Sequence, residues 1–187
     1  MITLVETAYD DPVAVELVAA LRAEINERYA YAMVDMTEAE RAEDDAAVAA
    51  QVAPADVRAP NGAFLVAWLD GAPVGCGAVM ALDRPGGVAE VKRMYTVPGG
   101  RRRGVSQAVL AALETRAAEL GYRWLQLETG LAQPEAMALY ERAGWRRITP
   151  YGRYQDSPET ACYGKDLGSP PAPASHRDRD GGAQAGP

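Results

Sequence analysis

Histidine is nearly missing from this 187-residue chain: the single one, His176, lies in a C-terminal stretch made mostly of Gly, Pro, Ala and Ser. A mechanism that needs a folded imidazole, whether a Ser-His-Asp triad or a His-rich metal centre, is therefore excluded. Cysteine is scarce too. Cys76 and Cys162 have no C-x-x-C spacing and no neighbouring histidine. This excludes a disulfide scaffold and a Cys-based zinc site, and it points to a cytoplasmic protein with reduced thiols and no metal. There is one Phe, so Leu, Val and Ala must carry the core. No apolar run is long enough to cross a bilayer. The N-terminus MITLVETAYDDP is acidic and lacks the basic-then-apolar order of a signal peptide. Neither G-x-x-x-x-G-K-[ST] nor G-x-G-x-x-G occurs, which removes the nucleotide P-loop and the dinucleotide fingerprint. The net charge of −7 argues against bulk nucleic-acid binding, which needs a broad basic face.

Apolar residues make up 48% of the chain, enough for one well-buried domain over residues 1–167. The remainder, 168–187, has no periodicity and little apolar bulk, and it reads as a disordered tail. Charge is unevenly spread. Residues 1–70 hold 14 acidic and 4 basic side chains, net −10, whereas 71–187 hold 12 and 15, net +3.

Asp11-Pro12 has the form of an N-cap with a first-turn proline. Val13, Leu17, Leu21, Ile25 and Tyr29 follow at i+4, predicting a helix over roughly 13–30. A second, acidic helix fits within 37–51. Strands are predicted at 63–69 and 73–82 about an Asp70-Gly71 turn, a break at 84–87, and a long strand at 88–97. A Gly/Arg loop (98–104) leads into a helix from Val105 to Leu120, stopped by Gly121. A strand at 123–129, a helix opened by Pro134 and ended by Gly144, and strands at 145–148 and about 160–167 complete an α/β domain.

The segment TVPGGRRRGVSQAVLAAL is strand, Gly/Arg loop, helix. Loop amides and the unpaired first-turn amides of a helix converge there on one point, and the helix N-terminus adds positive potential. Gly104 permits close backbone approach. Arg101, Arg102 and Arg103 supply three fixed cations, suited to a ligand with more than one phosphate. Taken alone, the loop could also be a solvated basic turn.

Arg101-Arg102-Arg103-Gly104-Val105-Ser106 resembles the [QR]-x-x-G-x-[GA] signature of the GNAT superfamily of N-acetyltransferases. QPEAMALYERAGW (133–145) is similar to that family's second signature, N-x-x-A-x-x-L-Y-x-x-x-G-[FY]. The two lie in the family's order, with a helix and a strand between them. Ser106 stands where Gly or Ala is usual, and Gln133 where Asn is usual.

The resemblance implies a mixed, mostly antiparallel sheet with splayed fourth and fifth strands, and acetyl-CoA as cosubstrate. Tyr95, Thr96 and Val97 would pair with its pantetheine arm, Arg101, Arg102, Arg103, Gly104, Val105, Ser106 and Gln107 would hold the pyrophosphate, and Gln133 would lie near the cofactor. Tyr140 matches the tyrosine that protonates the departing thiolate, and it could equally be a core residue on a stripe with Met137 and Ala143. Glu90, eleven residues before Arg101, matches a glutamate that takes the amine proton in some members, and its alternative is a structural pair with Lys92 or Arg93. Glu128 is the reserve candidate. Strand alternation puts Glu90, Lys92, Met94 and Thr96 on one face, with Val91, Arg93 and Tyr95 on the other.

The function implied is acetyl transfer to a primary amine, with a small molecule expected as acceptor and no nucleic acid or membrane; a small amine, an amino acid, an antibiotic amine and a protein lysine all stay open. The acidic N-terminal half would steer the cationic amine toward the site. A non-catalytic acetyl-CoA-binding or regulatory domain is the rival, and an RNA or polyphosphate binder using the three arginines is a second one. The tyrosine-rich 151–167 segment could line the acceptor pocket or pair with a second subunit as a homodimer. Both cysteines read as buried filler rather than nucleophiles.

Overall fold

The Asp11 carboxylate accepts from the Val13 N–H at 2.9 Å, and Pro12 supplies the first helical residue, so α1 (Pro12–Arg28) starts where the cap dictates. Thr37 and Glu40 form a reciprocal capping box at the head of α2 (Glu38–Ala49). The Asp70-Gly71 turn has both residues at positive φ and joins β2 (Gly62–Leu69) to β3 (Ala72–Ala81). The rest follows as β4 (Val88–Thr96), α3 (Val105–Glu119), β5 (Trp124–Gly130), α4 (Pro134–Arg142), β6 (Arg146–Ile148) and β7 (Thr160–Asp166). This computed structural model describes residues 1–82 and 87–168. The expected tail beyond 168 and the expected break at 84–86 lie outside the described residues.

One strand was not anticipated. Ile2–Glu6 forms β1, which pairs antiparallel with β2 and extends the sheet edge by one strand. The sheet order is β1-β2-β3-β4-β5-β7-β6, antiparallel at every pairing except the parallel β4–β5. Helices cover both faces. On one face Val105, Val109, Leu110, Leu113 and Ala117 of α3, with Tyr140 of α4, bury against Ala63, Leu65, Val79 and Val91. On the other, Ala14 and Leu17 of α1 pack with Phe64, Val66, Cys76 and Ala78.

The expected alternation along β4 fails at one point. Ala78 pairs with Lys92 and Cys76 with Tyr95, so two residues of β4, Arg93 and Met94, oppose one of β3, Gly77. This is a β-bulge, and Arg93 sits in it at φ +57°. Its guanidinium donates to the Tyr9 hydroxyl at 3.2 Å and to the Val48 carbonyl at 2.9 Å, which fixes the strained residue to α1's approach and the end of α2. Past the bulge the faces exchange. Met94 joins the α3 side, and Tyr95 joins the α1 side with Cys76. Glu90 and Tyr95 therefore share a face, the reverse of the simple period-two reading.

Gly77 lies opposite the bulge. A Cβ there would meet Leu113 Cδ1, Met94 Sδ and Val109 Cγ1, each at 2.8 Å. Three side-chain ends close on one point, so all of them must shift to admit a methyl group. Gly77→Ala is expected to destabilise the fold by about 1–3 kcal/mol, the usual range for overpacking, read as a lower midpoint in urea with the slope unchanged.

Candidate active site

The parallel ladder between β4 and β5 is short. Val88, Ala89 and Glu90 pair with Trp124, Leu125 and Gln126, and there it stops. β4 runs on to Thr96 and β5 to Gly130, so beyond Glu90 and Gln126 the strands fork. β3 holds the outer edge of β4, and β7 holds the outer edge of β5. The two inner edges face a gap. Two buried polar atoms without partners belong to β5 where the strands part: the Gln126 amide nitrogen and Glu128 Oε1. Such groups are uncommon in folded proteins and commonly await a ligand or water.

At the open end of the fork, the chain after β4 makes a short turn, Pro98–Gly100, and then enters α3. Gly104 caps that helix at φ +82°, with no side chain capping the first turn. The first intrahelical bond is from the Ala108 N–H to the Gly104 carbonyl at 3.0 Å. The Val105, Ser106 and Gln107 amides therefore point out of the helix end, the arrangement expected of a phosphate cradle. Val105 is buried, Ser106 half-buried and Gln107 exposed. Val97 directs its N–H to the Val74 carbonyl, and its own carbonyl accepts from Gly100. Tyr95 and Thr96 pair in register with Cys76 and Gly75 of β3, and the Thr96 carbonyl accepts from Arg101.

The arginines of the loop are not equivalent. Arg101 donates through Nε to the Thr96 carbonyl at 3.2 Å and pairs with Glu24 of α1. Glu24 also binds Arg28, and Arg28 binds Glu135 at the head of α4. This chain of charges ties the loop before α3 to α4 across the fork. Arg103 pairs with Asp70 at 3.2 Å. Arg102 is exposed and occupies the left-handed region at φ +59°. Gln133 reaches back to the Tyr29 hydroxyl at 3.4 Å and sits at the α1–α4 contact.

Where the strands part, a cavity of about 390 Å³ opens on the α1–α2 side of the sheet. Glu90 and Glu128 form its acidic floor, Met80 and Leu82 an apolar wall, and Gln51, Lys92, Tyr151, Gly152 and Arg153 the remainder. The two carboxylates are in different states. Both oxygens of Glu90 are engaged: Oε1 accepts from the Tyr151 hydroxyl at 2.9 Å, and Oε2 lies 3.2 Å from Lys92 Nζ. Burial, then the Glu90 carboxylate, push the Tyr151 phenol upward, so it stays protonated and donates. Glu128 has one oxygen enclosed without a partner. Burial raises its carboxyl to about 7, against a lowering by Lys92 and a further raising by Glu90.

Tyr140 lies on α4 and is 5% exposed, with its ring centroid 5.8 Å from that of Tyr163 and 6.0 Å from that of Trp145. Burial keeps its phenol protonated well above neutrality. Met137 and Ala143 pack partly against the same cluster, so the expected stripe exists. Both cysteines are buried, and burial pushes the Cys76 thiol up to about 12, far from a nucleophilic thiolate. Among the described residues, no cluster of His, Cys, Asp and Glu could hold a metal ion, and no helix is long and apolar enough to cross a membrane.

Sequence reasoning did not find Tyr151, Arg153 and Glu24. The first two lie in the tyrosine-rich segment whose placement was left open, and nothing local in the sequence links Tyr151 to Glu90, 61 residues away. Glu24 is one of several acids on a helix, and only the fold brings it to Arg101.

Glu24 competes with any anionic ligand for Arg101. Glu24→Gln is expected to tighten binding of an anion such as inorganic pyrophosphate by roughly two- to fivefold, the worth of an exposed ion pair. Calorimetric titration at low salt measures it, and the gain should shrink as salt is added.

Comparison with known proteins matches this geometry. Residues 19–145 fit the model of the acetyltransferase (GNAT) family. The "IAA acetyltransferase" of Azospirillum brasilense is 40% identical over 108 residues, 58% of this chain and 70% of that protein. The candidate acyl-CoA N-acyltransferase of Klebsiella pneumoniae superposes with a TM-score of 0.68 at 28% identity, covering 89% of this chain and 98% of the other. A GNAT-family acetyltransferase of Elizabethkingia anophelis, solved with acetyl-CoA bound, shares the fold at a TM-score of 0.57 and 15% identity, covering 88% and 97% of the two chains. The fork, the uncapped head of α3 and these matches agree: the chain belongs to the acetyltransferase (GNAT) family and is an acyl-transferring enzyme.

Proposed function

We propose that the protein transfers acetyl from acetyl-CoA to the nitrogen of a primary amine held in the cavity at the fork, with Glu128 as proton acceptor and Tyr140 as proton donor. The observation that carries this reading is the Glu128 carboxyl, with one oxygen enclosed and unpartnered, in a cavity that opens where β4 and β5 separate. The residues present suit acetyl-CoA. The facing strand edges can receive an amide-bearing arm, the Thr96 hydroxyl lacks a partner, and the amides at the head of α3 suit a pyrophosphate. Acetyl-CoA supplies an activated acetyl thioester.

Glu128 removes a proton from the amine as its nitrogen forms the new C–N bond. Tyr140 returns a proton to the sulfur as the C–S bond breaks, and its burial keeps that proton in place until the thiolate demands it. Glu90 is better suited to holding the floor than to taking the proton, because Tyr151 and Lys92 already occupy both its oxygens. The buried, unionised cysteines and the acidic charge balance support a cytoplasmic enzyme acting by direct attack, without an acyl-cysteine.

Acetyl-CoA, but not ATP or NAD, should raise the melting temperature, and amine-dependent release of free thiol should follow. Stabilisation by acetyl-CoA without thiol release across an amine panel would support a non-catalytic binding domain instead. Tyr140→Phe is expected to lower kcat about tenfold or more, the range for a lost general acid, with acetyl-CoA affinity retained.

Glu128 must be ionised to accept a proton, so kcat/KM should rise with pH through about 7. In Glu128→Gln that ionisation should vanish from the profile and the rate should fall. Stability moves the other way. A carboxyl raised by folding contributes stability that is full at low pH and is lost as pH rises through about 7, so the Gln variant should melt higher than the parent above that pH.

A further inference from the structure

The cavity at the fork carries charges of both signs, and they are arranged by depth. At the floor, the Glu90 side chain is 5% exposed and Glu128 has one oxygen sealed from solvent. Lys92 is 17% exposed and lies between floor and mouth, with its ammonium 3.5 Å from Gln51 Oε1. Arg153 is 43% exposed and stands at the mouth, where it stacks over the Tyr154 ring and pairs with Asp44 of α2. Met80 and Leu82 supply the apolar wall. An acceptor with one ammonium alone would satisfy the floor but bring no anion to the upper wall, where Lys92 has only Glu90 and Arg153 only Asp44 as a charged partner. A diamine would set its second ammonium against Lys92 and Arg153.

We infer that the acceptor is an amino acid-like zwitterion: its amine lies at the Glu128 floor, its carboxylate is received by Arg153 at the mouth with Lys92 behind it, and an apolar side chain lies on Met80 and Leu82. This rests on the acetyl-transfer reading above and names its substrate class. The cavity, about 390 Å³, is at the small end of the roughly 300–1,000 Å³ usual for small-molecule sites. The planar guanidinium of Arg153 can present a fork of donors to a carboxylate, and Asp44 contacts only one of its terminal nitrogens. Lys92 beside the incoming ammonium also favours its loss of a proton, which the attacking nitrogen requires.

The test uses the full chain with acetyl-CoA and four acceptors: leucine, leucinamide, 3-methylbutylamine and 1,5-diaminopentane, read by free-thiol release. Leucine is expected to exceed each of the others in kcat/KM by about tenfold or more, the usual worth of a hydrogen-bonded charge. Arg153→Gln should bring the leucine-to-leucinamide ratio toward one, through KM rather than kcat, and Arg153→Lys should restore part of it. Asp44→Asn breaks the same ion pair but keeps the cation, so it should hold or increase the ratio, which separates recognition from a structural role. Equal or better turnover of leucinamide or the diamine would overturn the inference, as would Asp44→Asn reproducing Arg153→Gln. Turnover of none of the four, with acetyl-CoA bound, would overturn the acetyl-transfer reading itself and the inference with it.

Discussion

Everything distinctive in this molecule follows from a sheet that stops pairing too soon. Three parallel rungs join β4 to β5, and then two hydrogen-bonding edges diverge inside the protein. Exposed edges are normally covered, charged or shortened, because unpaired N–H and C=O groups invite another strand. Here the edges are internal, and the partner they suit is a ligand with its own amide groups. The bulge at Arg93 belongs to the same device. It turns Tyr95 to the α1 side and Met94 to the α3 side, so the strand can leave the ladder without exposing apolar surface.

The charge asymmetry between the two halves of the chain has a structural meaning beyond steering. Glu6 pairs with Arg116, Glu24 with Arg101, Asp44 with Arg153 and Asp70 with Arg103, each joining an acid of the first 70 residues to a cation of the remainder. Exposed pairs of this kind add little stability individually. Their effect is on placement, because the acidic helices are drawn over the basic half with the cavity between them. The long-range pull on a cation is reduced accordingly, since Asp44 and Asp45 of α2 already have arginine partners.

Much of the fold was legible in local chemistry. Asp11-Pro12, the capping box at Thr37, the Asp70-Gly71 turn and Gly104 all mark element ends within a few residues of their observed places, because each acts through its immediate neighbours. The paired signatures located the loop before α3 and Tyr140. What escaped depends on distant contacts. β1 is five residues long and is stabilised by its neighbour β2 rather than by its own pattern. The bulge inverts a period-two reading that is otherwise sound. The contrast between Glu90 and Glu128 is invisible in sequence, since both are glutamates on strands. Lys92, with Tyr151 arriving from the far end of the chain, occupies both oxygens of one, while one oxygen of the other has no partner.

The three rungs also divide the molecule mechanically. On one side stand β1 to β4 with α1 to α3, and on the other β5, β7 and β6 with α4. Besides those rungs, the halves are joined by the Tyr151–Glu90 bond on the floor, the Glu24–Arg28–Glu135 relay at the mouth, the bonds from Trp145 and Lys165 to Glu114 of α3, and a shared apolar core. The hydrogen-bonded sheet is thus narrowest at those rungs, while the apolar core runs continuously across them. A ligand seated along both inner edges would act as the missing rungs, so occupancy would register as slowed amide exchange in β6 and β7, strands that line none of the gap.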